Sequence, residues 1–242
     1  MFVKTNAIVL NAIKYSDSRI IARLLTPDFG KISVMAYTGR TKRSAGKAVY
    51  FQPLYLLETE IQHRENRDIQ QLRNLRLADS TGQNITDYHK QSISIFLADV
   101  MHRSLRENEP DQALFDFVWH ALQLFDNSDK SSVNFHLFFL SHLMKYLGFS
   151  PGNTWSENNA YLNMDSGMFV NRESINSACL NERESRIIDR FTHFSASEIP
   201  EKGFSNKDRK LGLDAMMSYY EQHIPDFGYL KSYDILKTLY SE

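Results

Sequence analysis

The 242 residues include one cysteine, Cys179, which excludes an internal disulfide and fits a reducing compartment. No long hydrophobic run exists. The most apolar stretch, 133–147, is shorter than the ~20 residues a bilayer span needs and carries Asn134, His136, His142 and Lys145. The opening Met1-Phe2-Val3-Lys4-Thr5-Asn6 lacks a basic stretch leading into an apolar one and a cleavage site, so a cytoplasmic location is expected. Gly30-Lys31 has no glycine-rich loop before it, which excludes a P-loop. No His-Glu-x-x-His occurs, and the lone cysteine has no spacing that would support a zinc site. Cys179 reads as an ordinary half-buried cysteine rather than a nucleophile. His136 and His142 fall on different faces of one helix, which suits packing better than metal binding. The sequence contains no repeat and no low-complexity tract. These absences leave no cofactor and no metal to expect, and they argue against an enzyme.

What is present is an ordinary globular composition, 42% hydrophobic and 24% charged, enough to bury a core without staples. The net charge of −1 conceals an asymmetry. Residues 1–80 carry 13 Lys+Arg against 7 Asp+Glu, a balance of +6, and the remainder balances at −7. A basic module joined to an acidic one points to a polyanion for the first and another role, protein binding, for the second.

The period of the hydrophobic pattern changes near residue 80. Before it, Ala7–Leu10, Ile20–Leu25, Lys31–Tyr37, a stretch within Val49–Ile61 and Ile69–Leu77 read as five short strands. In the third, Ile32, Val34 and Ala36 share one face; in the fifth, Ile69, Leu75 and Leu77 are the apolar positions. Thr26-Pro27-Asp28-Phe29-Gly30 supplies a turn. Five such strands suit a small closed barrel, most often an OB-fold, with an SH3-like barrel as the alternative. After residue 80, helical stripes run through Ile93–Leu105, Leu114–Phe125 and Val133–Leu147. The last is apolar nearly all round, so it is expected at the centre of a bundle, stopped by Gly148 and Pro151. Residues 152–178 form an irregular excursion with a short hairpin, and helices resume at Glu182–Phe194, Lys207–His223 and Tyr233–Tyr240. The expected architecture is therefore α+β in two domains: a β-barrel over 1–80 and an all-helical domain with an irregular insertion over 81–242.

One segment stands out chemically. Thr38-Gly39-Arg40-Thr41-Lys42-Arg43-Ser44-Ala45-Gly46-Lys47 holds four cations and no acid, and it joins two expected strands. Mobile cations and exposed backbone N–H groups on such a loop suit a phosphate backbone. Tyr37, Tyr50 and Phe51 flank it and offer faces for base stacking. The candidate nucleic-acid-binding residues are Lys31, Tyr37, Arg40, Lys42, Arg43 and Lys47, with Arg19 and Arg23 as further contributors. A solvated loop that binds nothing is the plain alternative. An RNA-binding barrel docking on a ribosome or polymerase through its helical domain is the rival function. A second basic run, Lys207, Arg209 and Lys210 beside Phe204, is a weaker candidate for an acidic protein partner.

Read together, several segments resemble one family. Ala7–Leu10, Tyr15-Ser16-Asp17-Ser18, Leu24–Ile32 and Gly39–Ser44 look like the opening of RecO proteins. Phe139–Pro151 resembles the helix and stop that precede that family's zinc region, and Met217–His223 with Leu230-Lys231-Ser232 is similar to its final helices. The resemblance implies an N-terminal OB-fold and a helical C-terminal domain. It implies binding of single- and double-stranded DNA, annealing of complementary strands, and recombinase loading. The implied partners are RecR, single-strand-binding protein (through its acidic tail) and, indirectly, RecA. Many relatives carry a four-cysteine zinc module after the stop. Here 153–178 has no cysteine, so packing and hydrogen bonds must hold that region.

Overall fold

The computed structural model describes residues 2–39, 46–78, 87–127, 131–176, 178–195 and 204–238. Its contacts divide the chain into two compact units, Met1–Asn127 and Ser128–Glu242.

In the first unit, β1 (Val3–Ser16), β2 (Arg19–Thr26), β3 (Gly30–Tyr37), β4 (Leu56–Gln62) and β5 (Ile69–Leu77) close into a barrel of order β1-β2-β3-β5-β4. β1 is longer than the apolar run in it suggests, because it pairs β4 with its first half and β2 with its second. Register shifts between Val9 and Asn11 and between Lys14 and Ser16 bend the strand enough to do both. The barrel closes where β3 and β5 run parallel. Ala7, Val9, Ala22, Leu24, Ile32, Val34, Leu57 and Ile61 fill the interior.

Two strand expectations change. Gly46–Phe51 forms a 3₁₀ turn rather than the start of a strand, and Phe51 is buried in the barrel core. In β5, Gln70 and Leu72 are buried while Ile69 is exposed. Glu60 pairs Asn74 but Ile61 pairs Leu72, so Arg73 is an extra residue that exchanges the faces midway. Buried Gln70 is satisfied: its amide donates to the carbonyls of Arg64 (3.0 Å) and Arg67 (2.6 Å) and accepts from Arg64 N–H (2.8 Å).

Two helices complete this unit, α1 (Tyr88–Ser104) and α2 (Gln112–Asn127). The Asp87 carboxylate caps α1, accepting from the N–H groups of His89 and Lys90. The stripe Ile93, Phe96, Leu97, Val100 is buried, and α1 packs against β1. Lys90 is buried too, because its ammonium donates to the carbonyls of Phe125 (2.9 Å) and Asp126 (3.3 Å) at the end of α2.

The second unit is built on α3 (Phe135–Tyr146), buried from Phe135 to Ser141 and again at Leu143 and Met144, as its all-round apolarity predicts. Its exit is a Schellman turn. Gly148 has φ +82°, and Phe149 N–H reaches back to the Met144 carbonyl (3.1 Å). Around it lie α4 (Glu182–His193), α5 (Asn206–His223) and α6 (Lys231–Thr238). Capping boxes start α4 (Asn181 with Glu184) and α5 (Ser205 with Asp208). Tyr220 Oη donates to the Leu140 carbonyl (2.9 Å) and Ser141 Oγ to that of Phe191 (3.0 Å), tying α3 to both neighbours.

Residues 149–180 contain the expected hairpin, β6 (Tyr161–Leu162) with β7 (Phe169–Val170). Leu162 N–H donates to Ser185 Oγ (2.8 Å), Gln222 to Asp165 (2.7 Å), and the Gly167 turn sits directly over the Tyr219 hydroxyl. Hydrogen bonds and packing anchor this segment.

His136 on α3 is fully buried, and that burial, aided by Arg209, pushes its pKa down to about 3. The imidazole is therefore neutral when folded but takes up a proton near pH 6.5 when unfolded. Folding stability is complete above about pH 6.5 and falls as the pH drops from there toward 3, by about 1.4 kcal/mol per pH unit. Urea unfolding at about pH 7 and pH 5 should show up to ~2 kcal/mol of loss from this residue. His136→Gln should flatten that slope; an unchanged slope would exclude His136 as its source.

Candidate nucleic-acid interface

The register identifies which side chains share the barrel's outer surface. Because Ala22, Leu24, Ile32, Val34 and Ala36 point inward, the outward set on β2 is Arg19, Ile21, Arg23 and Leu25. On β3 it is Lys31, Ser33, Met35 and Tyr37. Pairing aligns Ile13, Ile21 and Met35 in one row, with Arg19 opposite Tyr37 in the next.

α1 divides this surface. On the covered side Ile8, Leu25 and Lys31 are buried. On the open side Tyr15 and Tyr37 are each 61% exposed, Ile13 is 52% exposed, and Arg19 is exposed beside them. Lys14, opposite Ile20, alternates away from this face and pairs with Asp17 (2.9 Å). Tyr37 is held by its backbone neighbour. A Cβ on Gly39 would lie 2.3 Å from the Tyr37 ring, so only glycine lets the ring lie across that strand end. The open face thus combines two aromatic rings, apolar side chains and the Arg19 cation, the kinds of group that take stacked bases and their phosphates.

The sequence candidates fall differently on this geometry. Tyr37 lies on the open face. Lys47 is half-buried in the 3₁₀ turn that ends the loop after β3. Arg40, Lys42 and Arg43 lie outside the described residues. Lys31 does not fit a phosphate contact: it is 6% exposed, and its ammonium donates to the His102 carbonyl (2.9 Å) and pairs with Glu107 (3.3 Å). Its charge closes the C-terminal end of α1, a favourable place for a cation. Arg23 lies at the covered edge with its Nε buried near His102. Phe51 is in the core and Tyr50 packs against it, so neither offers a free ring. Tyr15 and Ile13 were not singled out from sequence. Their only signal is that apolar residues persist in β1 beyond the interior positions.

Two other places are less suited. A cleft of about 580 Å³ is lined by Lys4, Thr5, Asp28, Glu58, Glu60 and Arg76 among others. Its carboxylates, of which Glu58 is engaged by Arg76, would repel a phosphate chain. At the second basic run, Lys207, Arg209 and Lys210, Phe204 is 5% exposed beneath Arg190, and Arg209 turns to Asn134 (2.7 Å) and Asn206 (2.7 Å).

Among the described residues no group of three or more His, Cys, Asp or Glu could hold a metal ion, and no helix is long and apolar enough to cross a membrane. Elemental analysis of purified protein should find no stoichiometric zinc, and a chelator should leave the melting temperature unchanged. One tightly held zinc per chain would refute this expectation.

Comparison with known proteins agrees with the barrel and the helical unit. The family model described as Recombination protein O N terminal matches residues 1–81, and Recombination protein O C terminal matches 85–234. Proteins named DNA repair protein RecO are similar along the whole chain. That of Phocaeicola vulgatus is 31% identical over 241 residues, covering 100% of both chains. That of Flavobacterium psychrophilum is 31% identical over 242 residues, again covering 100% of both. That of Azobacteroides pseudotrichonymphae is 29% identical over 240 residues, covering 99% of this chain and 100% of its own. With both halves matched in order and, among the described residues, a barrel followed by six helices beneath them, the chain belongs to the RecO family of DNA-repair and recombination proteins.

Proposed function

We propose that this protein is a non-enzymatic recombination mediator that binds single- and double-stranded DNA, anneals complementary strands and helps load recombinase onto strands coated by single-strand-binding protein. Its partners in this reading are DNA, RecR, single-strand-binding protein and, indirectly, RecA. Its place is the cytoplasm, at the nucleoid. The observation that carries the reading is the open barrel face, where exposed Tyr37 stands opposite Arg19 at the strand end that leads into the cationic segment 38–47.

Mechanistically, Arg19, Arg40, Lys42, Arg43 and Lys47 neutralise phosphates, while Tyr37 and Tyr15 take bases on their rings. Lys31 is not in this set, since its ammonium is engaged inside the fold. Screening two polyanions lets complementary strands meet, which needs neither nucleotide hydrolysis nor a cofactor.

The test is Tyr37→Ala with Arg19→Glu. One lost stack and one reversed phosphate contact should weaken single-stranded DNA binding about 30-fold or more, at ~1–3 kcal/mol for the stack alone. Folding should be kept, as both side chains are exposed. Affinity unchanged in a folded variant would move the strand to another surface. Tighter binding of RNA than DNA of the same sequence would favour the RNA-binding alternative.

A further inference from the structure

The helical unit holds a second cationic surface. Arg183, Arg186 and Arg190 are exposed on α4 at spacings of three and four, which places them within about 60° of arc and ~10 Å of axial rise. Lys207 and Lys210 are exposed on the first turns of α5, joined to this stripe by the Arg183–Asp208 ion pair (2.6 Å). Two acids beside this surface, Glu184 and Asp208, are engaged within the fold, while Glu182 is exposed at the start of α4. Glu184 and Asp208 accept bonds in their capping boxes, and Ser205 and Arg183 hold the Asp208 carboxyl down to about 2. Among the described residues, Arg186, Arg190, Lys207 and Lys210 form no ion pair.

Two of these arginines are already laid on aromatic rings. The Arg186 guanidinium lies 5.6 Å from the centre of Trp155, and that of Arg190 lies 4.3 Å from Phe204. A guanidinium stacked by its face keeps its N–H edge for an anion and gives up less side-chain freedom on binding. Of the two rings, Phe204 is buried and Trp155 is half-buried. An acidic peptide docking here would draw on apolar contact as well as on charge. A phosphate backbone needs only spaced cations.

We infer that Arg186, Arg190, Lys207 and Lys210, held together by the Arg183–Asp208 pair, form a second, sequence-independent phosphate-binding surface that holds a second DNA strand. This inference rests on the proposed binding of a first strand by the barrel face. Two separate strand sites on one chain give annealing its physical basis. Each strand is neutralised on its own unit, and encounter of the two becomes partly intramolecular.

The test uses the full chain with Arg186→Glu, Lys207→Glu and Lys210→Glu combined, residues chosen because none makes an ion pair among the described residues. Binding of trace single-stranded DNA should stay within about threefold of wild type, because the barrel face is intact. Capture of a second labelled strand by the saturated complex, and annealing at 0.1 M salt, should fall about a hundred-fold, three contacts releasing roughly two counterions. The glutamine triple variant should fall less, and it carries the test if the glutamate variant does not fold. Second-strand capture and annealing at wild-type levels in a folded variant would overturn the inference and leave the barrel reading standing. Trace binding lost as fully as second-strand capture would also overturn it, since the patch would then be part of the first site. Competition by polyglutamate as strong as by DNA would make the patch a protein-docking surface and overturn it too. Wild-type protein that binds no single-stranded DNA would instead remove the barrel reading, and this inference with it.

Discussion

Replacing Arg40, Lys42, Arg43 and Lys47 together by glutamate is expected to lower affinity for single-stranded DNA by several hundred-fold at about 0.1 M salt. Each phosphate contact on a single strand releases roughly 0.7 counterion, so four contacts contribute about three to the salt slope. Plots of log affinity against log salt should therefore flatten by about three between wild type and variant. The loss should be nearly the same for any DNA sequence, because phosphate contacts carry no base information. Urea unfolding of the variant should be measured alongside, because Lys47 is half-buried in its 3₁₀ turn. A folded quadruple variant with wild-type affinity and slope would show that the strand does not engage this loop.

The largest effect on stability is expected at Gly30. This residue begins β3 at φ +65°, where a β-branched side chain is strongly disfavoured. A Cβ there would also lie 2.3 Å from the Glu109 carbonyl oxygen and 2.4 Å from its carbon, so backbone rather than a movable side chain would have to give way. The same segment is bound to the strand by Asn108 N–H to the Lys31 carbonyl (2.9 Å) and by the Lys31–Glu107 pair. Gly30→Val should thus break the turn and the seam between the barrel and the segment after α1. The expected cost is about 4 kcal/mol or more, a fall in melting temperature of roughly 10 °C. Gly148→Ala is a useful comparison. Its φ is also positive, but nothing lies within 4 Å of a Cβ there, so only the conformational part of the penalty should appear. Equal losses at the two sites would mean that the Glu109 contact contributes nothing.

Much of this protein could be read without its structure, wherever local pattern decides the outcome. Alternation in Ile32, Val34 and Ala36 marks the inner face of β3, because a strand has only two faces and one must be dry. The unbroken apolarity of Phe135–Met144 requires a helix surrounded on all sides, and Gly148 requires the left-handed turn that ends it. With no cysteine between 149 and 178 the segment needs other anchors, and Ser185, Gln222 and Tyr219 meet it from distant helices. The change of period near residue 80 marks the passage from strands ending at Leu77 to helices starting at Tyr88.

Other features were decided only by the tertiary structure. An outward-facing residue on a strand can meet solvent or a packed helix, and alternation is the same in both cases. Lys31 and Tyr37 stand on the same face of β3, yet α1 reaches the first and not the second, so one cation is bound inside while the ring stays open. Arg73 exchanges the faces of β5 because the register against β4 slips by one residue there, a choice made between two strands and invisible in either alone. Arg186 and Arg190 find Trp155 and Phe204 through contacts 31 and 14 residues away in the chain. Composition determined that this protein would carry a basic module and an acidic one. Packing decided which of the cations remain free to meet a polyanion, because burial depends on neighbours that only the folded chain brings together.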